Sequence, residues 1–208
     1  MFSHVNFGAA ATQAIAAGTV KPFVAVFPPL MTNPPRDTEC TDIPKGPRAE
    51  TWLATDVRDA VVQHLRVSPW PGAWAVTGYS TGAFCAAKLL LGHPELFTAA
   101  GGFAGYYQPL TDHTTGNLFG DSKARYEANS PVYLYSRTGL ESDHRMLLIT
   151  GEQDLDSYAP TQKMIDVTRG DPNVASLVFP TGGHNYHNYA SAMPAVLRWL
   201  GQGQGFAP

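Results

Sequence analysis

A single pentapeptide, Gly78-Tyr-Ser-Thr-Gly82, restricts the possible folds of this chain more than any other segment. The run before it, Ala73-Trp-Ala-Val-Thr, has strand character, whereas residues 83–91 are strong helix formers. A G-x-S-x-G pattern between a strand and a helix is typical of a tight turn that exposes the serine hydroxyl. We therefore predict a nucleophile at Ser80. We also expect both glycines to be required, because side chains there would meet neighbouring backbone. The alternative interpretation is an ordinary glycine-rich turn.

The hydrophobic pattern of the whole chain predicts the α/β class, with a mostly parallel sheet and helices on both faces. Strands are expected at residues 23–27, 73–78, 99–104, 146–150 and 174–179. Helices are expected at residues 9–17, 50–66, 81–91, 158–168 and 189–200. The remaining segments are predicted to be an ordered loop (28–47), an irregular, lid-like insertion (106–143) and a frayed tail (201–206). A chain of 208 residues fits one domain, so residues 1–208 are expected to share one core.

Composition excludes several classes of function. The net charge is -3 and no Lys/Arg-rich run is present, which argues against a nucleic-acid partner. No apolar run approaches the ~18 residues of a membrane helix, and Met1 is not followed by a signal-peptide pattern. The two cysteines, Cys40 and Cys85, offer no CxxC metal site. By themselves they leave open two unrelated thiols or one disulfide.

A serine nucleophile needs a base that accepts its proton. His184 is the best placed of the seven histidines, because it follows the last predicted strand through the flexible turn Pro180-Thr-Gly-Gly. His187 is the second choice. The amide of Thr81, at the start of the following helix, is predicted to donate a hydrogen bond to the oxyanion.

The orienting acid is expected directly after the penultimate strand. Asp154 occupies that place, with Asp156 and Glu152 as rivals within two residues. A purely structural interpretation of Asp154 is a cap on the helix that follows. The order Ser, Asp, His along the chain is the order used by α/β-hydrolases.

With these residues the chain resembles the putative-esterase family of α/β-hydrolases, which includes actinobacterial mycolyltransferases and esterase D-like enzymes. The matching segments are Thr38-Glu-Cys-Thr-Asp, Glu50-Thr-Trp-Leu-Ala-Thr-Asp-Val, Gly78-Tyr-Ser-Thr-Gly, His93-Pro-Glu-Leu-Phe, Asn129-Ser-Pro, Gln153-Asp-Leu-Asp-Ser-Tyr and Gly182-Gly-His-Asn. The likeness is greatest to extracytoplasmic esterase domains of actinobacteria, which are often preceded by membrane helices. It implies an extracytoplasmic location, with any membrane attachment made by segments absent from this chain. It also implies a Cys40–Cys85 disulfide, a small-molecule ester as substrate, and neither metal nor organic cofactor.

One family feature is missing from this sequence. In the family, a strand ending in a His-Gly type loop precedes the first helix and supplies the second oxyanion donor. We therefore expect either a chain that lacks the N-terminal strands of the fold, or a rearranged sheet that pairs 23–27 directly with 73–78. The resemblance favours a serine carboxylesterase for short or medium acyl esters. The alternatives are an acyltransferase that uses a sugar hydroxyl, and a non-catalytic binding domain.

Overall fold

The computed structural model describes residues 6–32, 34–203 and 205–207. Its sheet consists of four parallel strands in the order β1-β2-β3-β4. The strands are β1 (Ala75–Tyr79), β2 (Ala99–Phe103), β3 (Arg145–Gly151) and β4 (Val174–Phe179). The register brings their carboxyl ends to the same edge, where the loops that follow β1, β3 and β4 meet.

Helices connect the strands and flank the sheet. They are α1 (Phe7–Ala16), α2 (Ala49–Thr51), α3 (Val57–His64), α4 (Thr81–Gly92), α5 (Lys123–Ala128), α6 (Pro131–Thr138), α7 (Tyr158–Val167), α8 (Tyr186–Ala190) and α9 (Met193–Gly201). A π-helical turn, Trp52–Asp56, joins α2 to α3, and a 3-10 turn, Pro71–Ala73, precedes β1. Within the described ranges, no helix combines the length and the hydropathy that crossing a bilayer requires.

Alternating side chains of β3 divide the core into two layers. Met146 and Leu148 lie in a cluster with residues of α4, α6 and α7. Leu147 and Ile149 point to the opposite face, into a cluster with residues of α1, α8 and α9. This alternation follows from the two-residue period of a strand. It confirms the predicted α/β class with helices on both faces of the sheet.

The predicted strand at 23–27 is wrong. That segment has no regular structure, and Val24, Val26 and Phe27 are 42–50% exposed. Phe23 and Phe27 instead make edge contacts with the ring of Phe7 in α1. In the described sheet β1 pairs with β2 alone, so the rearranged pairing of 23–27 with 73–78 is also wrong. An apolar, β-branched segment gains little from strand geometry without a neighbour to complete its hydrogen bonds.

Three other expectations need correction. The helix predicted at 189–200 is two helices, because Pro194 belongs to the first turn of α9 and a break precedes it. The 106–143 insertion contains α5 and α6, and it buries Tyr107 in the core. The described part of the predicted frayed tail is docked, since the Phe206 carbonyl accepts a hydrogen bond from the Lys21 amide at 3.0 Å. Residue 204 of that tail lies outside the described residues.

Residues 37–41, which we call the clamp loop, are tied to α4 by a disulfide between Cys40 and Cys85. Lys88 adds polar links and is only 2% exposed. Its ammonium group donates to the Cys40 carbonyl at 2.7 Å and to the Thr41 hydroxyl at 2.9 Å, and it pairs with Glu50 at 2.9 Å. Burial acts to raise the pKa of Glu50, but hydrogen bonds from His93 and Lys88, together with the charge of Lys88, lower it to about 2.

We expect the disulfide to be a major contributor to stability. It closes a loop of 45 residues, and such a closure stabilises a fold by about 2–4 kcal/mol through the unfolded state. The Cys40→Ala/Cys85→Ala double variant should therefore lose about that much free energy of unfolding in urea denaturation, and reduced wild type should behave like it. Equal unfolding midpoints for the oxidised and reduced wild type would contradict this expectation.

Candidate active site

Ser80 occupies the turn between β1 and α4 in a conformation that L-residues rarely adopt, with φ 56° and ψ −119°. Its amide is anchored by a 2.9 Å hydrogen bond to the Phe103 carbonyl at the end of β2. A Cβ at Gly78 would lie 2.2 Å from the backbone of Gly82, so position 78 requires glycine. A Cβ at Gly82 would meet only the side chain of Leu30 at 3.5 Å, an ordinary contact. The expectation that both glycines are required thus holds at Gly78 and is wrong at Gly82.

The structure brings the three predicted side chains, Ser80, His184 and Asp154, into one hydrogen-bonded row. His184 Nε2 lies 3.2 Å from Ser80 Oγ. His184 Nδ1 lies 3.1 Å and 3.0 Å from the two carboxylate oxygens of Asp154. The two partners of His184 are 104 and 30 residues away from it in the chain, and they follow different strands. With Nδ1–H donating to the carboxylate, Nε2 is free to accept the serine proton.

Asp154 is fully buried and its charge is compensated by donors. Oδ1 accepts hydrogen bonds from the amides of Ser157 at 3.0 Å and Asp156 at 3.2 Å, while Oδ2 accepts one from the hydroxyl of Tyr189 at 2.6 Å. Burial acts to raise the pKa of Asp154, but the donors Tyr189 and Ser157 and the charge of His184 hold that pKa below its usual range. The carboxylate therefore stays ionised beside the imidazole.

The rival residues do not take part in this row. Asp156 contributes its backbone amide to Asp154, and its carboxylate is exposed. Glu152 donates its amide to the Phe179 carbonyl in the direction of β4, and His187 lies exposed on α8. The ring of Tyr79 packs against His184, with centroids 4.9 Å apart, which restricts the orientation of the imidazole.

Two residues that sequence reasoning missed meet at Thr81. The Thr81 hydroxyl donates to Asp37 Oδ2 at 3.1 Å and accepts a hydrogen bond from Tyr106 at 3.1 Å. As the first residue of α4, Thr81 has an amide with no acceptor inside its own helix. That amide is next to Ser80, where the positive end of the helix favours a developing negative charge.

A third missed residue, Glu39, is a fully buried carboxyl group in the clamp loop. It accepts hydrogen bonds from the Leu110 amide at 2.9 Å and 3.1 Å, and its carboxyl group interacts with the side chain of Tyr106. Burial raises the pKa of Glu39 to about 7. The Leu110 amide, the Tyr106 side chain and the charge of Lys88 act to lower this pKa, whereas the negative Asp37 adds to the rise. In the sequence, Glu39 was indicated only by its position beside Cys40, in one of the segments that match the family. No spacing rule connects Glu39 to Ser80.

Among the residues that the structure describes, two groups of carboxylates and imidazoles bring potential metal-ligand atoms within 4.8 Å of one another, Glu141–Asp143–His144 and Asp154–Asp156–His184. Hydrogen bonds already engage the histidine in both groups. His144 binds Asp143 and the Pro94 carbonyl, and His184 binds Asp154 and Ser80. Hydrogen bonds within the protein therefore account for the close approach of the imidazole to a carboxylate in both groups.

The parallel sheet, the serine turn and the hydroxyl–imidazole–carboxylate row define an α/β-hydrolase. A family model described as putative esterase matches residues 1–200, so the chain belongs to the putative-esterase family. An uncharacterized protein of Corynebacterium glutamicum is 22% identical over 163 residues, which are 74% of this chain and 38% of that protein.

Solved structures share the fold at low sequence identity. A ferulic acid esterase superposes with a TM-score of 0.76 at 16% identity, covering 96% of this chain and 78% of the esterase. An S-formylglutathione hydrolase from Agrobacterium tumefaciens gives a TM-score of 0.66 at 16% identity, covering 79% and 62%. Mycobacterium tuberculosis MPT51 gives 0.62 at 16% identity, covering 80% and 73%. The chain thus spans less than two thirds of the Corynebacterium protein and of the Agrobacterium hydrolase.

The two glycines of the serine turn should respond differently to alanine. Gly78→Ala forces backbone apart and should lower the free energy of unfolding by at least ~2–3 kcal/mol. Gly82→Ala adds a methyl group with room around it, in the first turn of a helix, and should change stability by less than ~1 kcal/mol. Urea denaturation of both variants checks this contrast. Equal losses would show that the turn does not depend on the close approach at position 78.

Glu39 should make stability depend on pH in a defined direction. Its pKa rises from 4.5 to about 7 in the fold, so ionisation destabilises the folded state progressively between those values, by about 3 kcal/mol in total. Glu39→Gln mimics the protonated acid and lacks this loss. Between about pH 5 and about pH 8.5, wild type should lose about 2–3 kcal/mol more than Glu39→Gln in urea denaturation. If the free energy of unfolding depended on pH in the same way in wild type and in Glu39→Gln, the raised pKa of Glu39 would be contradicted.

Proposed function

We propose that this chain is a serine carboxylesterase that hydrolyses short or medium acyl esters through an acyl-enzyme on Ser80. The observation that carries the proposal is the continuous contact from Ser80 Oγ through His184 to the buried carboxylate of Asp154, at 3.2 Å and 3.0 Å. Such an arrangement makes a serine hydroxyl reactive at neutral pH.

In the acylation step, Ser80 Oγ attacks the ester carbonyl carbon and its proton passes to His184 Nε2. Asp154 accepts the hydrogen bond from Nδ1–H and stabilises the imidazolium. The Thr81 amide donates to the oxyanion of the tetrahedral intermediate. Collapse of the intermediate breaks the bond to the alcohol oxygen, which takes the proton from His184. Water, activated by the same imidazole, then attacks the acyl-enzyme and releases the acid.

Family membership and the neighbouring structures support ester hydrolysis as the general reaction, since these structures include a ferulic acid esterase and an S-formylglutathione hydrolase. The Cys40–Cys85 disulfide supports an extracytoplasmic location, because the cytosol keeps most thiols reduced. Both the substrate class and the location are parts of the proposal.

A fluorophosphonate probe with mass mapping tests the proposal directly. Wild type should be labelled at Ser80, and hydrolysis of a p-nitrophenyl acyl ester should be lost in Ser80→Ala. His184→Ala should lower kcat/KM by about 10³-fold or more. His187→Ala is the matched control, because its imidazole is exposed nearby on α8, and it should change kcat/KM less than about threefold.

The result that would overturn the proposal is a folded wild-type protein with neither label nor turnover. Adding glycerol or trehalose to the ester assay separates hydrolysis from transfer. Release of free acid alone supports an esterase, whereas an acylated polyol as the main product would replace it with the acyltransferase alternative.

A further inference from the structure

The side chain of Thr81 is held from two sides although Thr81 is the first residue of a helix. Its hydroxyl donates to Asp37 Oδ2 and accepts from the Tyr106 hydroxyl, both at 3.1 Å. A hydroxyl has one proton to donate, and here that proton has a charged acceptor. The rotamer of Thr81 is therefore fixed by hydrogen bonds to two different segments of the chain.

Both partners of Thr81 are themselves immobilised. Asp37 Oδ1 accepts the Glu39 amide at 2.8 Å, and the Asp37 amide donates to the Thr114 carbonyl at 3.1 Å. The ring of Tyr106 stacks on Phe84 of α4 with centroids 5.2 Å apart. These contacts hold Asp37 within the clamp loop and Tyr106 against α4, so both partners restrict the Thr81 side chain.

The clamp loop meets one face of α4 at three successive points. Thr81, Cys85 and Lys88 are spaced four and three residues apart, which places them on the same side of a helix. Thr81 bonds to Asp37, Cys85 to Cys40, and Lys88 to the Cys40 carbonyl and the Thr41 hydroxyl. The links at Cys85 and Lys88 hold the clamp loop against the body of α4. The link at Thr81 is the one that reaches the peptide next to the nucleophile.

We propose that Asp37 and Tyr106 are positioning residues that act through the Thr81 hydroxyl to hold the adjacent Thr81 amide in its oxyanion-binding orientation. This inference rests on the proposed function, and it adds two residues to the site that sequence motifs do not reveal. Oxyanion stabilisation depends on donors that are oriented before charge develops. Fixing the first side chain of α4 limits the tilt of the first peptide, whose amide has no intrahelical acceptor to hold it.

The consequence is specific to the transition state. A ground-state ester carbonyl needs little from the Thr81 amide, whereas a tetrahedral oxyanion needs a short, aligned hydrogen bond. Loss of a whole oxyanion donor lowers kcat by about 10²–10³-fold, so loss of its alignment should have a smaller effect, about tenfold. KM should remain nearly constant, because the same contacts do little for substrate binding.

Side-chain substitutions at Thr81 test this, since they leave the backbone amide in place. Thr81→Val keeps the shape and removes the hydroxyl, and it should lower kcat about tenfold with KM within about twofold. Thr81→Ser keeps the hydroxyl and should stay within about threefold of wild type. A merely structural role for the methyl group would reverse that ranking. Urea denaturation of both variants controls for folding.

Tyr106→Phe provides an independent arm that does not alter Thr81. If Tyr106 acts through Thr81, its effect on kcat should be absent when Thr81 is already Val, so that the double variant equals Thr81→Val. Fully additive losses, or equal kcat for Thr81→Val and Thr81→Ser, would overturn the inference. Should Thr81→Val not fold, the same comparison is made with Tyr106→Phe and Asp37→Asn, singly and together, whose effects should likewise not add.

The two proposals fail in different ways. Absence of fluorophosphonate label on wild-type Ser80 would remove the proposed function itself. Complete labelling of Ser80 in wild type, with unaltered kcat in both Thr81→Val and Tyr106→Phe, would leave the esterase in place and remove only the positioning role.

Discussion

The backbone conformation of Ser80 is the constraint on which the rest of the site depends. A non-glycine residue at φ 56° is strained, and the strain persists only where the surroundings determine it. Here β1 ends one residue earlier and α4 begins one residue later, while the Ser80 amide is bonded to β2. The hydroxyl is thereby held above the carboxyl edge of the sheet. Without this turn, the imidazole of His184 would have no hydroxyl within reach.

Parallel topology explains how distant residues reach that hydroxyl. Every strand of the described sheet ends at the same edge, so the loops after β1, β3 and β4 carry Ser80, Asp154 and His184 to a common place. The burial of Asp154 then makes donors necessary, because an ionised carboxylate removed from water is costly unless it is hydrogen-bonded. Tyr189 meets that need from α8, the element that directly follows His184. The acid and the base are thus held by connected elements.

What the sequence predicts well is local. The serine turn, the helix after it and the strand ends that precede Asp154 and His184 are each encoded within a few residues. The predicted strand at 23–27 fails because a strand depends on a neighbour, which local propensity does not report. The links from Asp37 to Thr81 and from Glu39 to Leu110 join residues 44 and 71 positions apart. No periodicity connects such pairs, since packing of an irregular loop decides them. The sequence pointed to this loop only through the predicted ordered loop at 28–47 and the family-like segment around Cys40.

Stability alone does not explain why polar and charged groups lie on α4 and beside it. Burying the Lys88 ammonium group beside Glu50, whose side chain is 26% exposed, and burying Glu39 without a full counter-charge, are often unfavourable or neutral compared with apolar residues of similar size. The disulfide offsets part of this by restricting the unfolded chain. An apolar loop would pack at least as well, but it would present no acceptor to the Thr81 hydroxyl. The carboxylate of Asp37 in the clamp loop is therefore better explained by its hydrogen bond to Thr81 beside Ser80 than by what it contributes to the core.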